Sequence, residues 1–159
     1  QAEDAADRAA ARLQNATRCV VVARGFDYAT AHEIALKLKE LASLAAEPYS
    51  AADFMHGPVA MVEAGFPAIV VAHSGAAYPE MRRLVTRLQR FGVDVVAISD
   101  RDPMLNAASL GLPVGSTVPE WLSPFVSVVP GQLLALHLAV EKQLDPDRPR
   151  RLAKVTLTR

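Results

Sequence analysis

Three side chains stand out for what they could do together: Glu33, Lys37 and Glu40, in the run Glu33-Ile-Ala-Leu-Lys37-Leu-Lys39-Glu40. At 100° per residue on a helix they fall within about 60° of one another. A carboxylate at Glu40 could act as general base or acid where the surroundings are dry enough to tune it. The same spacing equally describes a solvated ladder of ion pairs, each worth about 0.2–0.5 kcal/mol. His56 precedes Gly57-Pro58, a turn from which an imidazole can project into a cleft or simply face water. Lys154 lies between Ala153 and Val155, in a tail already charged by Arg148, Arg150 and Arg151, and by composition reads as a solvated lysine. Ser74-Gly75 closes a strand and opens a helix. Free backbone N–H groups can hold phosphate there, although one glycine is a weak signal and a simple cap is the plainer reading. Cys19 is alone and sits in a strand pattern, which makes it a small core residue. His32 and His73 have no partner at ligand spacing and His137 lies in an apolar helix, so no zinc site is expected.

The elements that must position these groups follow from hydrophobic periodicity. Residues from Ala2 to Leu13 read as an Ala-rich helix. Cys19–Ala23 is a continuous apolar run, the mark of a strand buried on both faces. The helix carrying Glu33, Lys37 and Glu40 lies in a stretch from Ala29 to Glu47 free of Gly and Pro. Ala31, Ile34, Leu38, Leu41, Ala42 and Ala45 are expected on its core face, with His32 and Lys39 in water. Pro48-Tyr49 and a short segment then lead to Met55, and Val59–Val62 reads as a single helical turn. A second strand is expected at Ala68–Ala72, a helix from Pro79 to Phe91 stopped by Gly92, and a third strand at Asp94–Ser99. A weak fourth strand is expected near Leu112–Val118. Glu120–Leu144 reads as helix, broken or kinked early by Pro124 and Pro130, and Leu152–Thr158 as extended.

Strands alternating with helices imply an α/β fold, a three-layer αβα sandwich with a mainly parallel sheet. Ligands of such sheets sit beyond the carboxyl ends of the strands, which places Arg24-Gly25, His73-Ser74-Gly75 and Asp100-Arg101 along one edge. The 159 residues suit one domain. Half the chain is hydrophobic and the net charge is zero, with no basic block. Disorder is thereby excluded and nucleic acid is not expected as a partner. Uninterrupted apolar runs such as Ala68–Ala72 are strand-length, so no membrane span is expected. A single cysteine suits a reducing cytoplasm.

Taken in order, several segments resemble one family. They are Ala23-Arg24-Gly25 with Tyr28, Glu33 to Glu40, Ala46-Glu47 with Tyr49, and His56-Gly57-Pro58. Val129-Pro130 with Gln132–Ala135 follows, and then Asp147, Pro149-Arg150 and Leu152-Ala153-Lys154. From Arg18 onward the chain is similar to the second sugar-isomerase (SIS) lobe of glucosamine-6-phosphate synthase and its relatives. The resemblance implies a flavodoxin-like SIS fold over residues 18–144, preceded at 1–17 by a linker helix from a missing upstream lobe and followed at 145–159 by a tail carrying Leu-Ala-Lys. It implies that Glu40 moves a proton between C1 and C2 of an opened hexose 6-phosphate. His56 would assist ring opening, often at a neighbouring subunit's site, and Lys154 would meet the carbonyl carbon. Lys37 would orient Glu40, and Glu33 would support Lys37. Arg24, Gly25, Ser74 and Ala153 are the candidate substrate contacts.

No cofactor or metal is implied. The expected partners are a sugar phosphate, the upstream SIS lobe and a second copy in a homodimer. The family's Ser-x-Ser-Gly-x-Thr phosphate loop belongs to the first lobe, and Ser74-Gly75 is at most a remnant of it. Ala52-Asp53-Phe54-Met55 before the histidine looks more like the two-lobe relatives that isomerise or deaminate amino-sugar phosphates. The alternatives are a non-catalytic sugar-phosphate sensor and a dimerisation module.

Overall fold

The computed structural model describes residues 2–115 and 118–149. Its elements are α1 (Ala2–Leu13), β1 (Arg18–Ala23), α2 (Tyr28–Ala42), β2 (Ala45–Ser50), α3 (Ala51–Met55), β3 (Pro67–Val71), α4 (Tyr78–Arg90), β4 (Asp94–Ser99), α5 (Asp102–Leu105), β5 (Leu110–Pro113) and α6 (Ser123–Glu141). The five strands form one sheet in the order β2-β1-β3-β4-β5. Every neighbouring pair is parallel, with Val21 opposite Ile69 and Ile69 opposite Val96.

Alternate strand residues point to opposite faces, and this divides the core in two. Val21, Ile69 and Val96 meet Ile34 and Leu38 of α2 and Leu134 and Leu138 of α6. Val20, Val22, Val70 and Val95 meet Phe54, Met81, Leu84, Leu88 and Met104 on the other side. This is the expected αβα sandwich, with β1, β3 and β4 inside. The amino-terminal helix, anticipated as a linker, packs into the first layer and buries Ala5, Ala6, Ala9, Ala10 and Leu13.

Three local expectations change. The segment after α2 is not an extension of it: Ser43 takes a left-handed conformation (φ 50°) and ends the helix. Residues 45–50 then pair with β1 as an edge strand. Pro48 is tolerated because an edge strand need not donate from every N–H. Ala45 is therefore exposed on a strand instead of packed on a helix face. In the last helix Pro124 lies in the first turn, where a missing N–H costs nothing, and the helix continues through Pro130. By length and composition Glu120–Glu141 is also apolar enough to cross a bilayer, at a mean hydropathy of 1.5. Its apolar residues are interrupted by Ser127, Gln132 and His137, so no single unbroken run shows it. In the structure its buried face lies against α1 and α2.

Candidate functional site

The Ala-, Leu-, Lys- and Glu-rich sequence of α2 turns Ile34 and Leu38 into the core and leaves its charged stripe half-buried. Lys37 Nζ lies 2.8 Å from Glu40 Oε2 and 3.8 Å from Glu33 Oε1. The Glu40 hydrogen bond is the main reason that the Lys37 ammonium is held above its ordinary pKa, with Glu33 adding to the effect. Lys37 thus stays charged and fixes the direction of the Glu40 carboxylate. Glu40 borders a cavity of about 180 Å³ with Ser43, Gln143, Asp145, Arg148 and Pro149. The carboxylate therefore shares its cavity with the base of the carboxy-terminal tail. Lys154 follows Pro149 by five positions, a span of at most about 17 Å when fully extended. Ala153, Lys154 and the expected extended segment Leu152–Thr158 lie outside the described residues.

A second group gathers at the carboxyl ends of the strands, as expected for a parallel sheet. Arg24 and Gly25 follow directly on β1, Gly25 taking φ 63°. Arg24 Nε lies 3.4 Å from Glu80 Oε2 of α4. Ser74 is not the cap of α4, which begins behind Ala77 with no side-chain cap. Its backbone N–H instead donates to Asp100 Oδ1 at 2.8 Å, tying the ends of β3 and β4 together. Because α2 runs from the carboxyl end of β1 to the amino end of β2, Glu40 lies about 18 Å along the helix from Tyr28. The structure thus brings Glu33, Lys37 and Glu40 together, brings Arg24, Gly25 and Ser74 to one edge, and sets these groups at opposite ends of α2. His56 caps the carboxyl end of α3 and stands exposed.

From the sequence, His73 and Asp100 are expected on this edge without a stated role, and Asp27, Ser123 and Ser127 are not singled out. The structure buries all of these side chains around the carboxyl edge. His73 Nε2 and Asp100 Oδ2 are 3.5 Å apart with 1% and 2% of their side chains exposed. Burial pushes the Asp27 carboxyl above its usual range, against the opposing influence of Ser123, His73 and Ser127. The only hint in the sequence was two serines four apart on an otherwise apolar helix. His137 does not sit sealed in the core: its Nδ1 meets Asp7 Oδ1 at 3.3 Å and the side chain is 22% exposed. Cys19 is buried, and burial pushes its thiol up to about 12, which removes it as a nucleophile. Among the described residues no three or more His, Cys, Asp or Glu side chains are grouped to hold a metal ion.

The sequence profile of the SIS domain matches residues 12–142. The chain belongs to the SIS-domain family. It is 41% identical over 133 residues to the glutamine–fructose-6-phosphate aminotransferase (isomerizing) of Thermococcus kodakarensis, covering 84% of this chain and 22% of that relative. The SIS domain described here thus spans less than a quarter of that protein's length. Among solved structures, the C-terminal domain of glucosamine-fructose-6-phosphate aminotransferase from Francisella tularensis superposes with a TM-score of 0.78 at 26% identity, over 90% of this chain and 41% of that one. Glucosamine-6-phosphate deaminase from Thermotoga maritima gives a TM-score of 0.74 at 25% identity, over 96% and 45%.

Proposed function

We propose that this SIS domain is the carboxy-terminal lobe of an aldose–ketose isomerase or deaminase acting on an amino-sugar phosphate of the glucosamine 6-phosphate and fructose 6-phosphate type. The supporting observation is the Lys37–Glu40 pair: a carboxylate held by a charged lysine, in the wall of a cavity from whose rim the Lys154 tail departs. In this reading the Glu40 carboxylate takes the proton from C2 of the opened sugar, leaving an enediol-type or enolamine intermediate. It then returns the proton to C1, or makes the same transfer in reverse. Lys37 keeps Glu40 oriented and balances its charge, and Glu33 supports Lys37. Lys154 contacts the carbonyl carbon or forms an imine with it, with Ala153 beside it. His56, exposed on its turn, assists ring opening at a neighbouring subunit's site.

Arg24, Gly25 and Ser74 belong to this reading as substrate contacts, although they lie at the far end of α2. The phosphate is held by an upstream SIS lobe, and no cofactor takes part. The protein is cytoplasmic and dimeric. The exposed stripe of Phe125, Val129, Leu136 and Val140 on α6, with Trp121 in the turn just before it, favours a partner surface, the upstream lobe or a second copy.

The test is Glu40→Gln in the parent chain carrying both lobes. Gln keeps the reach of Glu but cannot accept a proton at neutral pH, so exchange of the substrate C2 proton with solvent is expected to slow by about a hundredfold or more. A purely structural ladder predicts normal exchange and a loss of up to about 1 kcal/mol of stability.

A further inference from the structure

The outer face of α4 carries charge of one sign. Arg83, Arg87 and Arg90 stand at i, i+4 and i+7, within about 60° of one another and over a rise of about 10 Å. Arg82 and Thr86 form the neighbouring row. Arg82 is half-buried and the others are exposed. With Phe91, 42% exposed, these residues line a furrow of about 670 Å³. The Arg87 guanidinium lies 5.7 Å from the centre of the Phe91 ring, which steadies both at the end of the furrow. The helix packs on the side of the sheet opposite α2 and α6, so the furrow is remote from Glu40 and from the apolar stripe of α6.

These guanidinium groups lack partners that others have. Arg12 meets Asp94, Arg18 meets Glu63 and Arg24 meets Glu80. Among the described residues Arg82, Arg83, Arg87 and Arg90 meet no carboxylate, although the chain as a whole is neutral. The one acid on α4, Glu80, is turned to Arg24. Like charges three and four apart on a helix repel. The helix dipole favours Arg87 and Arg90 in the last turn, but not Arg82 and Arg83 in the first half. The face of α2 relieves its own charge by setting Lys37 between Glu33 and Glu40. On α4 the compensating carboxylates must come from elsewhere.

The arrangement selects the kind of partner. Guanidinium forks suit carboxylates and phosphates. A site for one phosphate gathers its donors around a point, whereas these are strung along a helix at the pitch of another helix's side chains. A nucleic acid calls for a positive field wider than one helix face, and the net charge here is zero. Phe91 adds an apolar contact that a bare polyanion would leave uncovered, and arginine beside an exposed aromatic ring is the composition of protein-interface anchors.

We propose that this face of α4 docks an acidic amphipathic helix of another protein. Carboxylates at i, i+4 and i+7 of that helix pair with Arg83, Arg87 and Arg90, and an apolar side chain covers Phe91. This does not rest on the isomerase reading, since α2, its cavity and the tail take no part.

The probe is a fluorescein-labelled helical peptide with glutamates at i, i+4 and i+7 and a leucine placed against Phe91. It is titrated with the 159-residue chain and read by anisotropy. Saturable binding is expected, weakening as salt rises. A peptide of the same composition with its glutamates spread around the helix, and one with glutamines in their place, should each bind about tenfold more weakly or worse. Arg83→Gln combined with Arg87→Gln, confirmed folded by circular dichroism, should lose a similar factor, and Arg8→Gln on the exposed face of α1 should not. Phe91→Ala should weaken the leucine peptide but not its leucine-to-serine counterpart. Tripolyphosphate and oligouridine should compete poorly. The proposal is overturned if the peptide shows no saturable binding, if the spread or glutamine peptide binds as tightly, or if the double arginine variant binds like the parent. It is overturned equally if Phe91→Ala affects both peptides alike, or if tripolyphosphate or oligouridine binds more tightly than the peptide. Self-association of the chain that the double arginine variant abolishes would overturn it too, by making a second copy the occupant.

Discussion

Gly131 sits where α6 crosses α2, and its substitution by alanine probes the contact that sets the position of the Glu33–Lys37–Glu40 helix. A Cβ at Gly131 would run into Cδ1 and Cγ1 of Ile34. Ile34 is completely buried against the sheet, and Gly131 is buried too, so neither has open space to move into. Two effects compete. Alanine in a helix interior is favoured over glycine by about 1 kcal/mol. Forcing an extra methyl into a filled core costs about 1–3 kcal/mol. With Ile34 held on all sides we expect the second to win, leaving Gly131→Ala up to about 2 kcal/mol less stable. For a chain of this size that lowers the melting point by up to about 8 °C.

The cause is isolated by adding Ile34→Ala, which removes both clashing atoms, Cδ1 and Cγ1. Alone it should cost about 2–5 kcal/mol, but in the Gly131→Ala background it should cost clearly less, a coupling of at least about 0.5 kcal/mol. Urea unfolding of the four proteins measures each term. If Gly131→Ala melts at or above the parent and the double variant is simply additive, the packing argument is wrong.

Other consequences are as direct. Asp27 has a folded-state pKa above its unfolded one, so the folded chain holds a proton that the unfolded chain has released. Stability should then fall as pH rises from the ordinary carboxylate range through the raised value, and Asp27→Asn should be flat over that window; parallel pH profiles would refute this. Cys19, buried with its thiol at about 12, should resist iodoacetamide at pH 8 in the folded chain and react in urea, and equal rates would contradict the burial. The 159-residue chain alone should show no appreciable turnover of glucosamine 6-phosphate in a coupled assay, and robust activity would mean that the upstream lobe is dispensable.

The inner strands, the long helices and the ladder on α2 were determined by sequence alone, because each rests on local periodicity. Val20–Val22, Ile69–Val71 and Val95–Ile98 are buried on both faces and read as continuous apolar runs. Glu33, Lys37 and Glu40 meet because a helix repeats every 3.6 residues, whatever lies around it. What needed the tertiary structure was whatever depends on partners distant in sequence. Residues 45–50 contain Ala, Glu and Pro and become a strand only because β1 offers them an edge. Pro124 and Pro130 look like breaks, yet α6 is held as one helix by packing against α1 and α2.

The candidate site divides along the same line. His73 has no ligand-spaced neighbour in the sequence, since Asp100, which it faces, is 27 positions away just past the end of β4. Asp27 acquires its raised pKa from burial beside serines of α6, nearly a hundred residues later. The resemblance grouped Arg24, Gly25 and Ser74 with Glu40, but only the course of α2 along the sheet shows that a helix length separates them. Local spacing settles which groups share a face of one element; which elements share a site is set by how the sheet and its helices pack.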